Sequence, residues 1–166
     1  MNKLKTVIKK LNGNVLGIGL SEDLTALIEK NDNITECNLL NSYTKGKFKK
    51  SFFNKTIKIK KIRKVFKKKK IDYIICNYDE ISNYLNTFVK DSIYINKGKL
   101  YFYGNIDVDL LKLKYGRYSV EINLIDKKII EIDTSSAKNN FFKDNYYRLV
   151  DFKDCLVEII GDVLMN

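Results

Sequence analysis

The sequence predicts an α/β protein with a mostly parallel sheet, helices on both faces and a terminal antiparallel hairpin. Three observations lead there. Short apolar runs alternate with segments of helical spacing about five times along the chain. One run, Ile71 to Cys76, is apolar at almost every position, as a central parallel strand covered on both faces must be. Near the end the pattern turns to strict alternation over Arg117 to Ile125, and after a turn at Asp126-Lys127 a second run follows over Lys128 to Asp133, which is a hairpin. Strand and helix alternating at this spacing imply right-handed βαβ units, which put helices on both sides of the sheet.

The elements follow in order. Leu4, Val7, Ile8 and Leu11 recur at helical spacing, and Asn12-Gly13-Asn14 supplies the residues at which helices stop. Residues 14–20 read as a buried strand; Ser21 then caps a helix whose Leu24, Leu27 and Ile28 share one face. Residues 34–40 are a second strand, and 41–54, with no clear period, read as loop. Lys55 to Ile59 alternate as a third strand, and Ile62, Val65 and Phe66 give a stripe at helical spacing in a very basic helix. Helical spacing returns over Asp79 to Lys90 through Ile81, Tyr84, Leu85 and Phe88. After Lys97-Gly98, residues 99–103 form a fifth strand, and Val108, Leu110, Leu111 and Leu113 a short helix. In the hairpin, Tyr118, Val120, Ile122 and Leu124 share one face. Phe142, Tyr146, Leu149, Phe152, Leu156, Ile160 and Val163 form one stripe of a terminal helix, although residues 155–160 alone also fit a strand.

At 166 residues, 45% of them hydrophobic and 12% aromatic, the chain can bury one sizeable core. We read residues 1–166 as a single domain: a leading helix over 1–12, a core over 13–133 and a C-terminal helix over 139–165. No apolar run approaches the roughly 18 residues of a membrane span. The N-terminal residues have no uninterrupted apolar stretch before a cleavage site, so a cytoplasmic protein is expected.

Cys37, Cys76 and Cys155 are odd in number and far apart, and the chain has no histidine, so neither a disulfide framework nor a metal site is expected. Without imidazole, the ordinary Ser-His and Cys-His nucleophiles are excluded. Cys76, inside an apolar run, reads as a buried small hydrophobe.

The net charge of +11 is unevenly placed. Lys45 to Lys70 holds 14 Lys and Arg and no Asp or Glu, whereas the rest of the chain holds 17 basic and 20 acidic residues. A composition rich in Lys, Ile, Asn and Tyr can scatter lysines but does not explain why acids vanish only here. Phe48, Phe52 and Phe53 interleave with the lysines, either as stacking surfaces for bases or as core anchors. This span predicts a nucleic-acid partner, RNA ahead of DNA because no groove-reading motif is present, through Lys45, Lys47, Lys49, Lys50, Lys60, Lys61, Arg63, Lys64, Lys67 and Lys68.

Three strings, residues 13–31, 71–85 and 94–104, together with the hairpin after the fifth strand, resemble the class I S-adenosylmethionine-dependent methyltransferases. The resemblance covers roughly Gly13 to Asp133 and implies a Rossmann-like fold, S-adenosylmethionine as cofactor and direct displacement at its methyl group, in which alignment matters more than a strong base. It implies a cofactor site at Gly17, Gly19, Ser21 and Asn38, with Asn77 and Tyr78 near the transferred methyl; no catalytic base is identified. The departures are specific. Gly17 stands where the family has an acid, Leu20 and Ser21 where it has small residues, and Asn38 where an acid accepts both ribose hydroxyls, with Glu36 on the same side of the strand. An amide supplies less to a ribose than a carboxylate does. Glu22 and Asp23 suit the helix dipole and repel a pyrophosphate, which argues against a dinucleotide. Two functions follow: methyl transfer, acting on RNA, or a non-catalytic relative that binds RNA or a ribonucleoprotein through its basic face. A homo-oligomer through the C-terminal stripe is compatible with both.

Overall fold

The structure is a computed structural model that describes residues 1–44, 47–50, 55–58, 66 and 68–137. Five helices and eight strands are seen among the described residues: α1 (Asn2–Ile8), β1 (Gly13–Ile18), α2 (Glu22–Glu29), β2 (Ile34–Thr44), β3 (Lys47–Lys50), β4 (Lys55–Lys58), β5 (Ile71–Asn77), α3 (Tyr78–Ile81), α4 (Leu85–Ile95), β6 (Asn96–Tyr103), α5 (Val108–Gly116), β7 (Glu121–Asp126) and β8 (Ile129–Asp133). They form one sheet of order β4-β3-β2-β1-β5-β6-β8-β7. The central strands β2, β1, β5 and β6 are parallel; β3 and β4 at one end and the β7–β8 hairpin at the other are antiparallel. This is the α/β, Rossmann-like architecture that the sequence predicts.

Alternation along each central strand sends successive side chains to opposite faces. On one face Val15, Ile75, Tyr101, Tyr103 and Ile129 meet Leu4 and Ile8 of α1 and Leu24 and Ile28 of α2. On the other, Leu16, Ile18, Ile74, Cys76, Leu100, Phe102, Ile130 and Ile132 meet Leu85, Phe88 and Val89 of α4 and Leu111 and Tyr115 of α5. Phe102 is central to this second layer, with the rings of Tyr78, Phe88 and Tyr115 set edge-on at about 6 Å. The Tyr115 hydroxyl is not stranded there, since it lies 2.8 Å from Ser92 Oγ.

Several boundaries differ from the sequence reading, for local reasons. The expected loop over 41–54 instead continues β2 to Thr44 and contains β3. Pairing partners at the sheet edge supply order that the local sequence pattern lacks. Between Leu40 and Tyr43 the β2–β3 register shifts by one residue. The expected third strand exists as β4, but it pairs antiparallel with β3 rather than lying parallel beside β2. Only residues 45 and 46 separate β2 from β3, so no crossover helix follows β2.

The helix expected over Asp79 to Lys90 is broken by a 3-10 turn at Ser82–Tyr84 and then runs on to Ile95. Ser82 Oγ donates to the Asp79 carbonyl at this break. Lys68 and Lys69 lie in a turn, Lys69 with φ +52°, so the expected basic helix does not include them; its residues 59–65 and 67 lie outside the described residues. So does the C-terminal helix expected over 139–165. In the hairpin, Ile122 packs on the core, but Leu124, expected on the same face, is 61% exposed at the sheet edge.

Candidate functional site

The chain passes from β1 to β2 on one side and later from β5 to β6 on the other, so β1 and β5 flank the point where strand order reverses. Open α/β sheets bind ligands at the carboxyl edge there. Gly17 and Ile18 are register partners of Ile75 and Cys76, which sets the turn after β1 against the turn after β5. Gly19 has φ +60°, a conformation open to glycine at little cost, and its N–H donates to the Leu40 carbonyl at 2.8 Å. The glycine turn after β1 thus lies at that carboxyl edge.

Side chains fill that turn. A Cβ built on Gly17 would lie 2.6 Å from Leu20 Cδ1 and 2.7 Å from Leu39 Cδ2, and Leu39 is Gly17's register partner on β2. A Cβ on Gly19 would collide with the Glu80 side chain of α3 and lie 3.4 Å from Asn77 Cβ. From β6, the Tyr103 hydroxyl donates to the Gly19 carbonyl at 2.9 Å. Burial pushes that hydroxyl up to about 12.

The remaining predicted residues are partly assembled here and partly elsewhere. Ser21 is exposed at the N-cap of α2, without a side-chain capping bond. Asn77 ends β5, and its Oδ1 accepts from the Asp79 N–H as the cap of α3. Asp79 Oδ2 in turn accepts from the Asn105 N–H in the turn after β6. Tyr78 is buried in the core against Phe102. Asn38 is not at the end of its strand: β2 runs past it to Thr44, and its register partner is Leu16. It thus shares Leu16's face, whereas Leu39 beside it shares that of Gly17. Asn38 is fully buried; its Nδ2 donates to Glu36 Oε1 at 3.0 Å, and its Oδ1 has no hydrogen-bond partner.

S-adenosylmethionine is the cofactor the resemblance implies, and these residues do not fit it as arranged. The family's acid is Gly17, the room at Gly17 and Gly19 holds Leu20, Leu39 and Glu80, and the amide meant for a ribose is inside the sheet. Neither cysteine among the described residues is an activated nucleophile: burial holds the Cys76 thiol well above its ordinary range, and Cys37 is pushed up to about 11 by burial and by Glu29. No group of carboxylates and cysteines suited to a metal ion occurs among the described residues. Leu39 and Tyr103 had no signal in the linear sequence; they become legible once the strand register is known.

Of the predicted nucleic-acid contacts, Lys47, Lys49 and Lys50 lie in β3 and Lys68 is exposed in the turn before β5. Lys45, Lys60, Lys61, Arg63, Lys64 and Lys67 lie outside the described residues, as do Phe52 and Phe53. No helix among the described residues is long and apolar enough to cross a membrane.

Sheet order, hairpin and glycine turn together define the fold of the class I methyltransferases. Among solved structures, the chain is similar to a release-factor-specific protein-(glutamine-N5) methyltransferase from Alicyclobacillus acidocaldarius, with a TM-score of 0.52 over 80% of this chain and 87% of that one, at 9% identity. No family model and no curated protein sequence matches the chain.

Proposed function

We propose that this chain is a non-catalytic protein on a methyltransferase fold, and that it binds RNA through the basic span Lys45 to Lys70. The observation that carries the first half is the packing of Leu20 and Leu39 against Gly17, with Glu80 over Gly19 and Tyr103 bonded to its carbonyl. A sulfonium cofactor would have to displace two leucine side chains from apolar contacts and break that hydrogen bond. The second half rests on 14 basic residues without one acid. Such a span neutralises phosphates and releases their counterions.

Thermal melts with and without S-adenosylmethionine test the first half. A ligand at 100 times its dissociation constant adds about 2.7 kcal/mol of stability. The expected result is no shift at millimolar cofactor. The similarity to a solved methyltransferase favours a second reading, methyl transfer, and a clear shift would show that the cofactor binds and overturn the non-catalytic reading. For the basic span, affinity for RNA is expected to fall steeply with salt. If changing four of Lys60, Lys61, Lys64, Lys67 and Lys68 to Glu left affinity and salt slope unaltered, the contribution of that part of the span would be refuted.

A further inference from the structure

Strand β7 ends the sheet on the side opposite β4, and among the described residues no strand pairs with its outer side. Which of its backbone groups face outward follows from the neighbouring ladder. Thr134, the residue after β8, donates its N–H to the Gly98 carbonyl of β6 at 2.9 Å. Backbone groups of successive strand residues point alternately to the two sides, so Ile130 and Ile132 face β6 while Glu131 and Asp133 face β7. The register partners of Glu131 and Asp133 are Asn123 and Glu121, which close the ladder between β7 and β8. Ile122 and Leu124 therefore turn their N–H and C=O groups outward, away from the sheet.

The side chains of this edge fit a partner of the same kind. Leu124 is the most exposed large apolar side chain among the described residues, at 61%. Ile122, two residues before it and on the same face, packs partly on the core layer under α4 and α5. A strand that ends a sheet ordinarily carries charge at such a position, because its free edge is a template for pairing. Here the charges stand at the two ends instead: Glu121 begins β7, Lys127 and Lys128 follow it, and all three are exposed. Neither lysine is in an ion pair among the described residues. Asp126, the acid at that end, is already engaged: Lys3 Nζ of α1 lies 4.0 Å from its Oδ2, and its Oδ1 accepts from the Lys127 N–H. An antiparallel approach of a second copy sets the start of one β7 beside the end of the other, and so Glu121 beside Lys127. A parallel approach sets Glu121 beside Glu121.

We propose that β7 is the interface of a symmetric dimer, in which the β7 strands of two copies pair antiparallel about a two-fold axis at Asn123. This register joins the outward groups of Ile122 in each copy to those of Leu124 in the other, and lays each Leu124 on the neighbouring Ile122. The two Asn123 side chains meet on the axis. Each Glu121 gains Lys127 of the other copy, so the symmetry makes the charges complementary at both ends of the interface. The sheet becomes continuous through both copies, with β3 and β4 at its two far ends. The pairing needs no RNA.

Sedimentation equilibrium of the full chain, over a range of concentrations, tests the pairing. A reversible monomer–dimer equilibrium is expected for the wild type. L124K puts a charge on the outward row and is expected to leave a monomer, whereas L113K, at the comparably exposed leucine of α5 (59%), is expected to dimerise as the wild type does. K127E is expected to weaken dimerisation about tenfold by setting acid beside acid at both ends, and E121K/K127E to restore it. N123C is expected to form a cross-linked dimer on mild oxidation, above the level of the wild type, because the two side chains meet on the axis. A wild type that stays monomeric at every concentration overturns the proposal, as does a dimer that L124K leaves intact. Failure of E121K/K127E to recover what K127E loses overturns the antiparallel direction, and absence of the N123C cross-link overturns the register.

Discussion

The two halves of the sheet answer to different constraints. From β1 through β5 and β6 to the hairpin, every strand packs side chains on a helical layer or on a neighbouring strand, and the methyltransferase architecture is kept. From β2 outward, the crossover helix is gone, the direction reverses twice, and lysines pair with lysines. The first half is held by two buried layers, and the second places lysine opposite lysine in its register. A fold of this kind is specified by its core layers and leaves the residues at its glycine turn free to vary. In this chain the half with the richest packing sets Leu20, Leu39 and Glu80 against the glycine turn, and the half with the least regular topology carries the surplus charge.

Substitutions sharpen that contrast. The largest effect is expected from F102A, which removes the ring that Tyr78, Phe88 and Tyr115 all meet edge-on; a loss of about 3–5 kcal/mol in urea unfolding is expected. A loss under 1 kcal/mol would mean that the α4–α5 layer is not the main source of stability. Next comes G17D, which restores the acid of the family motif into space held by Leu20 and Leu39. Overpacking is expected to cost about 1–3 kcal/mol, and L20A in the same chain to return part of it. If G17D proved neutral, the turn would be open and the non-catalytic reading would lose its support. G19A follows, at about 1–2 kcal/mol for an L-residue in the left-handed region, before the contact with Glu80 is counted.

The smallest effect is a pH dependence. Tyr103 is held neutral to about 12 in the folded chain, against about 10 in an unfolded one. A raised pKa makes its stabilisation complete below pH 10 and lost as pH rises from there through 12. Y103F is expected to flatten that part of the alkaline unfolding curve and to lower stability at neutral pH by about 0.5–1.5 kcal/mol, from the lost bond to the Gly19 carbonyl. An unchanged alkaline slope in Y103F would place the titration elsewhere, in Tyr101 or Tyr78, which burial also shifts upward.

Much of the well-packed half was legible in the sequence. Leu4, Val7 and Ile8 mark α1 by their spacing, the run at Ile71 to Cys76 marks a strand covered on both faces, and the alternation after Arg117 marks the hairpin. The glycines at 17 and 19 correctly located the turn. Their neighbours did not reveal that it is filled, because Leu39 and Tyr103 reach it from strands 22 and 84 residues away in sequence from Gly17 and Gly19 respectively. Asn38 was misplaced because an 11-residue strand gives no local sign of where its partner β1 stops. Strand β3 was missed for a related reason: Lys47 to Lys50 has little strand propensity of its own and takes its form from pairing with β2 and β4.

The register shift between Leu40 and Tyr43 has an arithmetic consequence. In an unbroken β2, counting by twos from Leu40 would set Ser42 and Thr44 beside Phe48 and leave Tyr43 among the lysines. One additional residue exchanges them, so that Tyr43 joins Phe48 and Ile57 while Thr44 joins Lys47 and Lys58. Which of Tyr43 and Ser42 stands opposite Phe48 is thus a matter of chain length rather than of side-chain identity. Deleting a single residue at 41 or 42 would leave Tyr43 opposite Phe48 and Thr44 opposite Lys47 in an unbroken strand, whereas closing the shift at full length would exchange them.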